Sequence, residues 1–425
     1  MDSEIDFSRI CVVGLGYIGL PTAAMFASQK LQVIGVDINP HIVETISNGV
    51  IHIAEPDLQE SVGKSVASGY LIATSTPEPS DAFLIAVPTP IKGDNQDPDL
   101  SFINAAALAI APVLEAGNLV ILESTSPVGT TAKLADLLAE ERPDLSFPQE
   151  RGDASDIRLA YCPERVLPGR VMEELRSNDR VIGGMTSACS IAAARLYRAF
   201  SRGECVIASN PSVAEMVKLA ENSFRDVNIA FANELSIICD ELNIDVWELI
   251  HLANRHPRVD ILQPGPGVGG HCIAVDPWFI VASAGDRANL IKAARWVNDS
   301  KPDWVIDKVY AALGNHLAQD SEATAENVVI AVYGLSFKPD IDDLRESPAL
   351  EIAKTIAANH PGEVLAVEPN INQFNSLAGC SFSLVALDDA MHRADIHVLL
   401  VDHSSFKTSR PPRGQIVDTR GIWLQ

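Results

Sequence analysis

The chain has 425 residues, with 32 Lys and Arg against 56 Asp and Glu, a formal charge of −24. Such an acidic balance argues against sequence-independent nucleic-acid binding, which needs a basic surface to neutralise phosphates. At 47% hydrophobic and 21% charged residues the composition is that of a folded chain, with two or three domains at roughly 150 residues each.

The opening residues, MDSEIDFSRI, hold no basic segment followed by an apolar one, so no secretory signal is expected. Ile10–Val13, Gln32–Val36, Ala82–Val87 and Leu119–Leu122 read as short apolar strands, with helical spacing between them as in Leu20–Ser28. This alternation predicts βαβ units and a parallel sheet with helices on both faces. It continues to about residue 205, through Arg158–Tyr161 and Cys205–Ile207. The apolar stretch 103–122 is broken by Asn104, Pro112, Glu115 and Asn118, so no membrane insertion is expected. Ser212–Leu242 lacks Gly and Pro and predicts one helix of about 30 residues, about 45 Å long, suited to a connector or a subunit interface. Helical patterning stops at PRVDILQPGPGVGGHCIAVDP (257–277), which must be a loop. Strand–helix alternation resumes with Val328–Tyr333, Glu363–Val367, Ile396–Val401 and Gln415–Val417, after the polar stretch AQDSEATAE. The expected class is α/β: two Rossmann-like doubly wound domains, 1–208 and 319–425, joined by a helical middle domain, 209–318. The seven cysteines include no C-x-x-C pair, which predicts a reducing cytoplasm and no disulfide framework.

Five segments carry chemistry. Gly14-Leu15-Gly16-Tyr17-Ile18-Gly19 follows a strand and opens a helix. Gly14 suits the tight turn, Gly16 close approach of backbone to a pyrophosphate, and Gly19 helix–strand packing. Asp37 closes the next strand, where a carboxylate accepts from ribose hydroxyls and repels a 2′-phosphate; the pattern predicts NAD rather than NADP. In Gly265–Asp276, Cys272 is either an activated nucleophile or a small buried residue. Its neighbour His271 is a poor partner, since adjacent side chains rarely meet at one centre. Lys218, Asn222 and Arg225 share a helix face. That face is either solvated, or else covered, since the same helix carries Phe224, Ile229 and Phe231 and is long enough to be mostly covered, in which case Lys218 and Asn222 need partners. Tyr161–Gly169, with Glu164, is either a ligand loop at a strand end or a surface turn. Phe337–Pro348 offers Lys338 and Arg345 for phosphate, or else carries only solvated charges.

In this order the segments resemble the UDP-glucose/GDP-mannose dehydrogenase family across essentially the whole chain. GLGYIGLP, VPTP, STSPVGTT, CPERVLPG, ENSFRDVNIAFANE, GVGGHC and FKPDIDDLRESPA all fall at its stations. The resemblance implies an NAD-binding domain, a helical middle and a UDP-binding domain. It also implies oxidation of a sugar's primary alcohol to a carboxylate with two NAD and one water, through a thiohemiacetal and a thioester on Cys272. Lys218 is implied as proton carrier and oxyanion stabiliser, Asn222 as partner of the reacting oxygen, Asp276 as a water-orienting group and Glu164 as a general base. Substrate contacts are implied at Arg165, Val166, Lys218, Asn222, Arg225, His256, Arg258, Gly269, Phe337 and Lys338. Cofactor contacts are implied at Gly14, Gly16, Tyr17, Ile18, Gly19, Asp37, Thr89, Thr125, Thr131 and Arg345. The chain departs from the UDP-glucose branch at Pro168 and Val275, where that branch has Glu and Lys. The departures favour a UDP-linked 2-acetamido sugar. Of the two 2-epimers, the resemblance favours N-acetyl-D-mannosamine over N-acetyl-D-glucosamine. The long helix predicts a homodimer.

Overall fold

The computed structural model describes residues 7–423 apart from Ala54, Asp94, Asn95, Pro168, His271, 372–376 and Ala378. The chain divides into two compact units, Met1–Glu221 with Trp278–Gly285, and Asn222–Pro277 with Asp286–Gln425. The strands of the first unit are β1 (Arg9–Val13), β2 (Gln32–Val36), β3 (Leu71–Thr74), β4 (Ala82–Ile85), the short pair β5 (Ile91–Lys92) and β6 (Asp97–Pro98), β7 (Leu119–Leu122), β8 (Arg158–Tyr161), β9 (Arg180–Gly184) and β10 (Cys205–Ile207). Its helices are α1 (Gly19–Ser28), α2 (Pro40–Ser47), α3 (Leu58–Ala67), α4 (Ser101–Ile110), α5 (Thr130–Glu141), α6 (Pro148–Arg151), α7 (Val171–Ser177) and α8 (Ser187–Tyr197). Then come α9 (Pro211–Glu241), α10 (Val246–Ala253), α11 (Asp276–Ala284) and α12 (Asn289–Gln319). The second unit adds β11 (Ile330–Tyr333), α13 (Pro348–Asn359), β12 (Val364–Val367), β13 (Ser383–Leu384), α14 (Leu387–Arg393), β14 (Ile396–Leu399) and β15 (Gln415–Asp418).

The first unit is built on an eight-stranded sheet in the order β10-β9-β8-β7-β4-β1-β2-β3. Strand residues alternate between two cores. Ile10, Val12, Val33, Leu84 and Ile121 belong to one, and Cys11, Val13, Ile34, Ile85 and Leu122 to the other. Both faces are therefore covered, which is why these strands read as unbroken apolar runs. Strand order reverses between β1 and β4, the switch point at which such sheets bind ligands beyond their carboxyl ends. The sheet is not wholly parallel as expected: β9 runs antiparallel to β8 and parallel to β10. The chain turns back there instead of crossing a face, and Gly183 admits the following chain: a Cβ on it would lie 2.5 Å from the Asn210 carbonyl oxygen.

Helix α9 has the expected length, and Phe224 and Phe231 on it are 73% and 51% exposed. In the second unit β13-β12-β11-β14-β15 form a parallel sheet. Helix α12 continues through Pro302 and places Val305, Val309 and Leu313 in the same core as Ile330 and Val332.

Candidate active site

The turn after β1 assigns each glycine a separate duty. Gly14 has φ +94°, and a Cβ there would lie 2.5 Å from the Ala86 carbonyl oxygen. A Cβ on Gly19 would lie 1.8 Å from the Gly14 oxygen, whereas one on Gly16 would meet nothing within 4 Å. Glycine at 14 and 19 is thus demanded by the protein itself, and at 16 it leaves backbone open to approach. The Asp37 carboxylate accepts from the Leu15 amide at 3.0 Å and the Asn39 amide at 2.9 Å, which fixes it beside the turn. Tyr17 packs half-buried on the core, and Ile18 precedes the first residue of α1. The loops after β4 and β7 are joined: the Thr89 hydroxyl donates to the Thr125 carbonyl at 2.5 Å, and Ser124 Oγ to the Val87 carbonyl at 2.7 Å. An open Gly16, a helix start and a fixed carboxylate fit a dinucleotide.

The second unit repeats this turn in part. Gly14 N donates to the Val36 carbonyl and Gly334 N to the Val367 carbonyl, both at 2.8 Å. Leu335 N donates to Glu368 at 2.7 Å, as Leu15 N does to Asp37. Ser336 stands at the place of Gly16, and the fully buried His403 lies 3.2 Å from Glu368. The two halves are related at the level of fold, but the open backbone position is present in the first alone.

Thr131 stands in the first turn of α5. It is fully buried, and its amide and hydroxyl donate to Glu215 Oε1 at 2.8 and 2.7 Å, while the Gly129 amide donates to Oε2 at 2.6 Å. Its amide and hydroxyl cap α5 on a carboxylate of α9.

On α9 the polar face runs from covered to open. Lys218 is only 8% exposed, yet among the described residues its side-chain nitrogen has no hydrogen-bond or ion-pair partner. A covered Lys without a carboxylate is costly unless a ligand uses it. Asn222 donates to Asp276 Oδ2 at 2.5 Å, and Asp276 is 2% exposed. Arg225 is exposed.

The loop after β8 rests on a buried network. The Glu164 carboxylate accepts from the Arg165 amide at 2.8 Å and from Arg180 Nη1 at 3.1 Å. The Arg180 guanidinium lies 4.4 Å from the Tyr197 ring centre and 5.1 Å from that of Phe200. Tyr197 donates to Glu123 Oε1 at 2.6 Å. Complete burial, reinforced by the charge of Glu164, pushes the Glu123 carboxyl up to about 7. Both Glu164 oxygens are engaged and its side chain is 6% exposed, an ion pair that shapes its loop. The Arg165 guanidinium is likewise engaged, with Glu221 at 2.5 and 3.0 Å and with the Asp179 carbonyl at 3.2 Å. Val166 packs on the core.

In the second unit the glycine loop is moulded to the loop after β11. A Cβ on Gly269 would lie 2.3 Å from the Glu346 carbonyl oxygen and 2.9 Å from Phe337 Cβ, and one on Gly270 2.9 Å from the Phe337 ring. The loop's start is held by the buried Asn233, which accepts from the Gly265 amide at 2.9 Å and donates to Asn298 at 2.9 Å. Its end is the turn in which Cys272 O accepts from the Asp276 amide at 2.8 Å. Cys272 is exposed, whereas five of the other cysteines are buried and Cys380 is intermediate. His271 and Pro168 lie outside the described residues. Lys338 and Arg345 flank Asp343, which accepts from Arg345 at 2.6 and 2.8 Å. His256 and Arg258 are exposed on the turn that Asn254 closes by bonding both polar backbone atoms of Ile261, at 2.7 and 3.0 Å. Sequence reasoning did not single out Glu123, Arg180, Tyr197, Glu221 or Asn233; each is marked only by a distant partner. Among the described residues no cluster of three or more His, Cys, Asp or Glu could hold a metal, and no helix is long and apolar enough to cross a membrane.

Residues 8–201 match the NAD binding domain of the UDP-glucose/GDP-mannose dehydrogenase family, 212–300 its central domain, and 331–425 its UDP binding domain. The chain is 62% identical to a Yersinia pestis UDP-N-acetyl-D-mannosamine dehydrogenase, over 99% of this chain and all of that one. It is 59% identical to an NDP-N-acetyl-D-galactosaminuronic acid dehydrogenase of Ralstonia nicotianae, over 99% of this chain and 97% of that one. Among solved structures, the UDP-D-ManNAc dehydrogenase of Pyrococcus horikoshii aligns with a TM-score of 0.85 at 38% identity, covering 97% of this chain and 96% of that one.

Proposed function

The chain belongs to the UDP-glucose/GDP-mannose dehydrogenase family, and from that premise we propose that it oxidises the C6 alcohol of UDP-N-acetyl-D-mannosamine to UDP-N-acetyl-D-mannosaminuronate. The observation that carries the reading is likeness along the full chain to relatives of that activity, with an exposed Cys272 and a covered Lys218, unpartnered among the described residues, in place. NAD, when bound, takes a hydride from C6 in each of two oxidations. Lys218 accepts the alcohol proton and presents positive charge to the oxygen on C6, with Asn222 as its hydrogen-bond partner. The Cys272 thiolate attacks the aldehyde carbon, and the resulting thiohemiacetal keeps the sugar attached between the two oxidations. A second hydride leaves C6 and the bond to sulfur becomes a thioester. Water, oriented by Asp276, adds to it, and the thiolate departs. Alcohol, water and two NAD give carboxylate, two NADH and three protons.

Gly14, Gly16, Tyr17, Ile18, Gly19, Asp37, Thr89 and Thr125 serve the dinucleotide, with Arg345 from the last domain. The UDP-sugar is assigned to Arg165, Val166 and Gly269 and to the side chains of Arg225, His256, Arg258, Phe337 and Lys338. This is the division of labour among residues 1–208, 209–318 and 319–425. We place the enzyme in the cytoplasm, where NAD is available and thiols stay reduced. A homodimer is supported by Phe224, Phe231 and Ile238, spaced seven apart on α9 and 73%, 51% and 44% exposed.

Turnover on UDP-N-acetyl-D-mannosamine, on its C2 epimer UDP-N-acetyl-D-glucosamine and on UDP-N-acetyl-D-galactosamine, which differs from it at C2 and C4, followed by NADH absorbance, tests the assignment. The manno sugar is expected to give the highest kcat/KM. A higher value for either of the other two sugars refutes it.

A further inference from the structure

Lys218 carries the proton in the reading above, and this inference rests on that reading. No described side chain grips Lys218 itself, so its place is set by the backbone of α9. One turn earlier stands Glu215, fully buried. Its Oε2 accepts from the Gly129 amide at 2.6 Å, and its Oε1 from the Thr131 amide at 2.8 Å and hydroxyl at 2.7 Å. A carboxylate at the start of α5 takes up donors that the helix leaves unpaired and complements its dipole. Gly129 and Thr131 end the segment that begins with Ser124 and Thr125, and Thr125 accepts from Thr89. One buried carboxylate therefore joins the helix that bears Lys218 to the paired loops assigned to the dinucleotide. We propose that Glu215 is a positioning residue for hydride transfer: its clamp on Gly129 and Thr131 sets Lys218 in register with the cofactor loops.

Glu221 provides the internal contrast. It lies three residues after Lys218, as Glu215 lies three before, and forms an ion pair with Arg165. Those side chains are 37% and 30% exposed, so solvent screens the pair. If the clamp acts through geometry, the buried anchor must matter more than the exposed one.

The test compares the E215Q, T131V, T131S and E221Q variants with the wild-type enzyme, full length and shown folded by circular dichroism. The readouts are kcat, both KM values and the isotope effect with substrate deuterated at C6. E215Q is expected to lower kcat ~100-fold with sugar KM changed less than ~3-fold, because a misplacement near 1 Å costs about that much. Its isotope effect on kcat rises, as hydride transfer becomes limiting. T131V, which removes only the hydroxyl bond, lowers kcat ~5-fold by the same route at roughly 1 kcal/mol per hydrogen bond. T131S restores wild-type values, and E221Q falls less than E215Q. If E215Q does not fold, T131V against T131S decides. Wild-type kcat and isotope effect in a folded E215Q or in T131V overturn the inference while leaving the dehydrogenase reading intact. A wild-type enzyme that makes no NADH from any UDP-sugar overturns both.

Discussion

Alanine at Gly16 and at Gly19 makes a matched pair of perturbations, because the same added methyl group meets opposite surroundings. At Gly19 the new Cβ would sit 1.8 Å from the Gly14 carbonyl oxygen. Backbone cannot yield there without moving α1 off the turn, and overpacking of this kind costs about 1–3 kcal/mol. At Gly16 nothing lies within 4 Å, so Gly16→Ala changes stability by at most about 0.5 kcal/mol. The methyl instead occupies the approach of a pyrophosphate. Losing one charge-assisted backbone hydrogen bond costs about 1.5–3 kcal/mol, and at about 1.4 kcal/mol per decade the dissociation constant for NAD rises roughly 10- to 150-fold. Titration calorimetry with NAD and a thermal melt of each variant read both quantities. Gly16→Ala is expected to melt with the wild type and bind NAD weakly, and Gly19→Ala to melt early. Wild-type NAD affinity in a folded Gly16→Ala protein would refute the argument that this position is kept open for the ligand.

Glu123 makes the first unit pH-sensitive. Its carboxyl stands raised to about 7 against an ordinary 4.5, so the stability of its protonated form is fully present below about pH 4.5 and is lost as pH rises through about 7. Glu123→Gln, which keeps an acceptor for Tyr197, is expected to flatten the fall in melting temperature between about pH 5 and pH 8; an unchanged slope would contradict it. In the second unit Asp226 and Arg295 form a buried pair at 2.6 Å. Asp226→Ala should cost about 3–5 kcal/mol by chemical denaturation, and Asp226→Leu combined with Arg295→Leu should recover most of it. For the proposed dimer, Phe231→Asp should shift the mass seen by light scattering to the 45.6 kDa of one chain; a single-chain mass for the wild type would remove the dimer.

What could be read from the chain depended on how locally it was encoded. β1, β2, β4 and β7 are buried on both faces, so each is an uninterrupted apolar run. β3 is a half-exposed edge strand of four residues, and β9 ends in two glycines that neighbouring chain requires, so neither has a periodic signature. Helix α12 contains a Pro that sequence rules read as a break, yet Val305, Val309 and Leu313 beyond it bury themselves in the second unit's core. The same holds at the site. The glycine turn and Asp37 obey a fixed spacing, and Lys218 and Asn222 share a helical face. The groups that hold them do not. Thr131 meets Glu215 across 84 residues, Tyr197 meets Glu123 across 74, and Gly265 meets Asn233 across 32. No periodicity joins such pairs. That is why neither the cap that Thr131 makes on Glu215 nor the ion pair of Glu164 with Arg180 was legible in the chain.

The central claim is that one thiol carries the sugar through two oxidations. Counting NADH formed per uronate released, in the wild type and in Cys272→Ala, tests it most directly. Two NADH per uronate in the wild type, and no uronate from the variant, are the expected results. One NADH per product, or uronate at near wild-type rate from Cys272→Ala, would contradict the covalent mechanism.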